Sequence, residues 1–256
     1  DFALLVVAVL IVNYLSGRLI ESASSNRRKL ILLASAVSAN LSLLIFFKYT
    51  NFILENTNHI TGLFSQTNIS IPFDIILPLG ISFYTFQAIS YVVDVYRGVQ
   101  HAEKSFLLVG TYIIFFPQLI AGPILRAGDV IWQLAKKPPF NVELLERGFR
   151  RILYGLFLKV CLADQIGIWV DRAFSNAPSV FGAFDVWALA WLFGFQIYFD
   201  FSAYSHIAIG TALLFGIKFP ENFHFPYTSS SPKEFWQRWH ISLSTWVRDY
   251  VYLPIC

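Results

Sequence analysis

The sequence has no methionine, two cysteines in 256 residues and few charges, with only 14% of positions being Asp, Glu, Lys or Arg. Cys161 lies in an apolar run and Cys256 at the last position, so the pair offers neither a metal-ligand cluster nor a disulfide framework. Soluble domains carry roughly a quarter charged residues, which excludes an ordinary soluble domain here. At 56% hydrophobic and a mean hydropathy of +0.56, the chain reads as a membrane protein. The net charge of +3 is small and the positive residues sit between apolar runs, a pattern that suits orientation in a bilayer and speaks against a nucleic-acid partner. No glycine-rich phosphate loop and no G-x-S-x-G elbow occur. His59, His101 and His224 fall in predicted loops without metal-ligand spacing, so no metal site is expected. No charged n-region followed by a small-residue cleavage site opens the chain. For the missing methionines the sequence supplies no physical reason.

What is present is a series of apolar runs. About 20 predominantly apolar residues cross a bilayer, and 30–47 meets this cleanly. Residues 2–15 read as the remainder of a span, 75–95 as a span carrying Pro78 and Gln87, and 152–170 as one carrying Lys159 and Asp164. Two shorter runs, 184–199 and 203–219, flank Asp200, which marks either a sharp turn or a break in one long helix. Lys159 and Asp164 are five apart and on different faces of an α-helix, so each is expected to snorkel or to pair with another helix. Lys and Arg collect on the cytoplasmic side, which places 16–29 and 96–105 inside and the nearly uncharged 48–74 outside. A span at 106–120 would put the basic stretch from Arg126 to Arg151 outside; a re-entrant hairpin turning at Pro117 or at Gly122 and Pro123 removes the conflict. The expected fold is an all-α polytopic transmembrane helix bundle with re-entrant segments. Residues 1–256 are read as a single membrane domain, incomplete and truncated at both ends, because the chain starts on Asp1 and stops within an aromatic stretch.

That stretch, "EFWQRWHISLSTWVRDYVYLP" from Glu234 to Pro254, is the densest in chemistry. Ser231, Pro232 and Glu234 form a helix-start signal, and a helix is predicted over 232–250. At 3.6 residues per turn, Gln237, His240, Ser244 and Arg248 share one stripe, opposite Phe235, Trp239, Leu243, Trp246 and Tyr250. Two readings stand. In one, the stripe lines a cavity and the imidazole accepts a proton near neutral pH, with burial lowering its pKa. In the other, the helix lies at the interface with its Trp and Tyr at headgroup level, and His240 is a structural hydrogen-bonding group. Asp200 and His206, flanking "FSAYS", are weaker candidates: a carboxylate at membrane depth is a functional suspect, or it caps a helix. The residue five after His240 is Thr245, so the His-x4-Asp motif of soluble-type glycerolipid acyltransferases is absent.

Four blocks in order, "LPLGISFYTFQAISYVVDVYRG" (77–98), "FFPQLIAGPILR" (115–126), "YFDFSAYSHIAIG" (198–210) and "ENFHFPYTSSSPKEFWQRWHISLSTWVRDYVYLP" (221–254), resemble the membrane-bound O-acyltransferases. The nearest branch is the bacterial one that holds the alginate O-acetylation and teichoic-acid D-alanylation membrane proteins, and the likeness covers nearly the whole chain. It implies a bundle with re-entrant elements around a funnel, in the bacterial cytoplasmic membrane with several passes, where an acyl group from inside meets a hydroxyl outside. His240 matches the histidine of the family's R-W-H-x-S-L-S motif; the second signature histidine, in a W-H-G context, would lie downstream of Cys256. The resemblance implies acyl transfer, with acetyl first, to an exported polysaccharide. His240 would be base or acceptor-positioning group, Gln237 and Ser244 orienters, Arg238 and Arg248 contacts for an anionic donor or polymer, and Asp200 a further substrate-binding residue. No bound cofactor is implied: the acyl thioester, acetyl-CoA or an acylated carrier protein, is a co-substrate. Membrane lipids, the polysaccharide and a periplasmic acetyl-transfer protein are the implied partners.

Two blocks depart from the family pattern. Where it has F-D-F-S-G-Y-S-D this chain reads FDFSAYSH, so Ala203 replaces a glycine and His206 an acid, and "LPIC" replaces Pro-Leu-Gly-Gly. D-alanylation of teichoic acid is the second reading within the family. Outside it stand a transporter, which predicts flux without covalent change and pseudo-symmetric halves, and a non-catalytic scaffold of a secretion complex.

Overall fold

The computed structural model describes residues 2–62, 75–119, 122–136, 141–176 and 180–256. Among them there is no strand. The helices are α1 Phe2–Ser22, α2 Asn26–Gly62, α3 Ile81–Tyr96, α4 Phe106–Ile114, α5 Phe116–Leu119, α6 Ala127–Lys136, α7 Val142–Leu156, α8 Asp164–Phe174, α9 Ala183–Leu214, α10 Pro232–Arg238, α11 Ile241–Val247 and α12 Leu253–Ile255. A π-helical segment, Phe157–Ala163, joins α7 to α8, and another, Arg248–Tyr252, follows α11.

Four helical stretches among the described residues are long and apolar enough to cross a membrane: Phe2–Ser22, Asn26–Gly62, Val142–Phe174 and Ala183–Leu214. Their outward faces are apolar, unlike those of a soluble protein. Trp169, Trp187 and Trp191 are more than 60% exposed, whereas Asn13 and Asn40 are buried, an arrangement that hydrocarbon as the surrounding medium accounts for. The chain is therefore an all-α membrane helix bundle.

Several expected boundaries move. Helix α2 runs to Gly62, well past the predicted 30–47, so His59 is helical and only 63–74 of the expected outer loop lies outside the described residues. Helix α3 starts at Ile81 and leaves Pro78 before it. Run 106–120 is interrupted at Phe115, whose ψ of 112° leaves the helix, and Pro117 sits inside the short α5; Ile120 and Ala121 lie outside the described residues. Asp200 marks neither the turn nor the break expected there: α9 runs through it without interruption.

The chain folds as two compact units, Asp1–Phe115 with Arg126–Ile131, and Phe116–Leu125 with Trp132–Cys256. In the first, α1, α2 and α3 pack on one another. Asn13 and Asn40 exchange amide hydrogen bonds (3.0 and 2.9 Å), and each donates its second N–H to a carbonyl one turn back, Val9 or Ala36, at 2.8 Å. Every amide hydrogen is satisfied, so this pair bonds α1 to α2 where no water competes.

In the second unit the continuous stretch of α7, π segment and α8 lies antiparallel to α9. A Cβ on Gly148 would meet the Gly210 carbonyl oxygen at 2.9 Å, and one on Gly155 would meet the Ala203 carbonyl oxygen at 2.8 Å. Backbones this close require small residues, the usual device where lipid removes the hydrophobic drive between helices. Beyond Gly155 the π segment shifts the register. Hydrogen bonds from i to i+5, such as Asp164 N–H to Lys159 C=O, bring side chains five apart onto one side. Lys159 Nζ consequently lies 2.8 Å from Asp164 Oδ1 and 2.7 Å from Asp200 Oδ1. The expectation that Lys159 and Asp164 stay apart assumed an α-helix, and the π turn overturns it.

Replacing Lys159 with Met strands two carboxylates at membrane depth. Relaxation of the carboxylates toward the interface and local entry of water hold the cost below the roughly 3–5 kcal/mol of a broken buried pair, on the order of 1–3 kcal/mol. The expected result is a lower melting temperature for Lys159→Met, restored by adding Asp164→Asn and Asp200→Asn. A single variant as stable as the parent would sink the account.

Candidate functional site

Ser231 starts α10 as predicted: its Oγ accepts the Glu234 N–H at 3.2 Å, with Pro232 in the first turn. The Glu234 carboxylate returns to the N–H and hydroxyl of Ser230, both at 2.8 Å, rather than to Ser231. The predicted helix over 232–250 does not continue, however. It breaks at Trp239, which is extended (φ −100°, ψ 127°), and His240, which is left-handed (φ 40°, ψ 54°); a new helix, α11, begins at Ile241. A non-glycine residue in that region costs of order 1 kcal/mol and persists only where its surroundings over-determine it.

Asn222 supplies that determination. Its carbonyl accepts the Ile241 N–H at 2.9 Å, and one step away the Arg238 carbonyl accepts the His224 N–H at 2.9 Å, so 222–224 and 238–241 are zipped side by side. Its side-chain oxygen accepts from Ser242 Oγ (2.9 Å) and N–H (3.3 Å), and its Nδ2 donates to Ser205 Oγ on α9 at 3.0 Å. Ser242 Oγ in turn accepts the Ile124 N–H at 2.9 Å. All three side chains are buried.

The bend drives the imidazole inward. His240 is 9% exposed, with the Phe201 ring edge-on at 4.6 Å and the Phe223 ring nearly parallel at 6.3 Å. Its Nε2 is buried without a hydrogen-bond partner. Burial lowers its pKa from 6.5 to about 4 by penalising the charged form, so the ring is neutral and can accept a proton. The unfolded chain takes up a proton between pH 6.5 and about 4 that the folded chain refuses. Stability from this group is therefore full above pH 6.5 and declines as pH falls toward 4. In histidine-labelled protein the His240 resonances should remain those of neutral imidazole at pH 5.5; imidazolium shifts there would overturn this picture.

The bend also dismantles the predicted stripe. Gln237 is exposed on α10, and Ser244, half-buried in α11, gives its N–H to the His240 carbonyl at 3.0 Å. Arg238 pairs with Glu234 and donates to Thr228 Oγ1 at 2.9 Å. Arg248 is exposed and paired with Asp249. Asp200 faces Lys159, one residue before Phe201, so α9 carries both the ion pair and a wall of the histidine pocket. Among the described residues no group of three or more His, Cys, Asp or Glu is placed to hold a metal. Sequence reasoning missed Asn222, Ser242 and Ser205; the only signal was that they stand within the blocks carrying the family resemblance.

Comparison with known proteins agrees with those blocks. Residues 102–256 match the model of the MBOAT, membrane-bound O-acyltransferase, family. Along its whole length the chain is 41% identical to a Pseudomonas aeruginosa protein named "Probable alginate O-acetylase AlgI", covering 48% of it. Over 98% of its length it is 35% identical to the peptidoglycan O-acetyltransferase of Helicobacter pylori, covering 51% of that protein. Over 71% it is 32% identical to the teichoic acid D-alanyltransferase of Bacillus subtilis, covering 46%. The chain thus spans about half the length of the curated relatives it matches. A family match over more than half the chain, with 41% identity to a curated relative along all of it, makes this chain a member of the membrane-bound O-acyltransferase family.

Proposed function

We propose that the protein carrying this chain transfers an acyl group, acetyl first, from a thioester to hydroxyls of an exported polysaccharide, as one polytopic domain of the bacterial cytoplasmic membrane. The observation that carries this reading is His240: a buried, neutral imidazole with an unpartnered Nε2, held in strained backbone by a buried network. Its role is general base. The imidazole takes the proton of the acceptor hydroxyl as that oxygen attacks the thioester carbonyl; on collapse the C–S bond breaks and the thiolate leaves with a proton from the imidazolium. Low dielectric around Phe201 and Phe223 strengthens each charge interaction in that step. Ser244, one turn along α11, fits a role in orienting the acceptor. Gln237, Arg238, Arg248 and Asp200 belong to substrate contacts outside the pocket, where Arg238 and Arg248 would exchange their carboxylate partners for an anionic donor or polymer. Acetyl-CoA or an acylated carrier protein supplies the acyl group, and a periplasmic protein passes it on or the polymer receives it directly.

D-alanyl transfer is the second reading, favoured by the 32% identity to a teichoic acid D-alanyltransferase. Mass spectrometry of ester-linked groups on envelope polymers, with and without the intact gene, separates the two. Loss of acetyl is the expected result and loss of D-alanyl would promote the second; no change in either would overturn both.

A further inference from the structure

We propose that Arg147, Arg150 and Arg151 of α7, with Tyr154 and His206, form a binding site for a phosphate ester group, separate from the histidine pocket. These side chains and Leu213 line one cavity of about 360 Å³. Two of its polar atoms, Arg151 Nε and His206 Nδ1, are buried without a hydrogen-bond partner. A buried donor without an acceptor is costly, and here the guanidinium edge needs an oxygen that the protein does not provide. The His206 ring is held edge-on to Tyr154 at 4.8 Å, so its orientation is fixed before any ligand arrives.

The arginines have carboxylate partners, and these do not close the site. Arg151 bonds Glu221 through an η nitrogen, leaving Nε unused. Arg147 and Arg150 pair with Glu143 and Glu146 one turn back on exposed helix surface. Exposed i,i+4 pairs are weak, so both guanidiniums can turn to a stronger anion. A phosphate ester offers several charged oxygens to the forked donors of three guanidiniums, and Leu213 gives its carbon side an apolar wall. The close approach at Gly148 and Gly210 anchors α7 against α9 beside the cavity. The same arginines place this end on the cytoplasmic side by loop charge. Two sources of a phosphate ester meet it there, the headgroup of an acidic phospholipid and a soluble thioester donor.

The test is thermal melting of the purified full-length protein with phosphatidylglycerol, with coenzyme A, and with diacylglycerol as a lipid lacking phosphate. It reads binding without any acyl transfer, so its outcome is independent of the proposed activity. Saturable stabilisation by phosphatidylglycerol assigns a lipid headgroup, stabilisation by coenzyme A assigns the donor's phosphate, and either supports the site. Arg147→Gln with Arg150→Gln should weaken that binding at least tenfold. Should this pair fail to yield folded protein, Arg150→Gln alone, at a 77% exposed side chain, carries the test by the same criterion. No stabilisation of the parent by either phosphate compound, equal stabilisation by diacylglycerol, or undiminished binding by the variant would each overturn the proposal.

Discussion

Replacing His240 with Ala in the full-length protein is expected to cut ester-linked acetyl on the polymer by at least about 100-fold, the lower end of what a positioned general base contributes. The loss should occur at unchanged protein level in the membrane. Because His240 is neutral in the folded state, its removal strands no charge, and the fold loses only packing against Phe201 and Phe223. Backbone strain needs a separate control, since alanine at a φ of 40° is disfavoured. Asparagine tolerates the left-handed region better than other non-glycine residues, keeps a polar side chain and takes no proton near neutral pH. His240→Asn should therefore melt close to the parent and still fail to acylate. Acetylation by His240→Asn within a few-fold of the parent would end the base assignment and leave the histidine a structural role.

The long helices were legible because a bilayer imposes a simple demand, an apolar run of sufficient length. Asp200 resisted that reading, since a carboxylate inside such a run looks like a turn until its cation is found. The cation, Lys159, could not be placed because an α-helical period sets it on a different face from Asp164, and only the π segment brings the three together. His240 was legible as a residue and illegible as geometry. Residues 232–250 contain no proline or glycine after Pro232, so local preference offers no reason to stop. The break comes from Asn222, eighteen residues earlier in a stretch with no periodicity, whose backbone and side chain hold 238–242 out of helical register. Tertiary hydrogen bonds override weak local propensity there.

That dependence makes Asn222 the second position where a large effect is expected. Asn222→Leu removes the acceptor for Ser242 N–H and Oγ–H and the donor to Ser205 Oγ, all buried. Each stranded polar group costs about 1–3 kcal/mol, so destabilisation on the order of 3 kcal/mol follows, seen as a melting temperature lower by several degrees. Asn222→Asp keeps the acceptor for Ser242 but loses the donor to Ser205 and places an ionisable carboxyl in a buried site, so it should also melt below the parent. Destabilisation alone does not make Asn222 a positioning residue. The distinguishing readout is acetyl transfer at a temperature where all three proteins are fully folded. If the network aims His240, kcat falls at least tenfold in Asn222→Leu while KM for the acceptor changes little, because substrate contacts remain and only the base is misplaced. Unchanged kcat at that temperature would confine Asn222 to holding the chain together, and unchanged melting as well would remove the network from any account of the site.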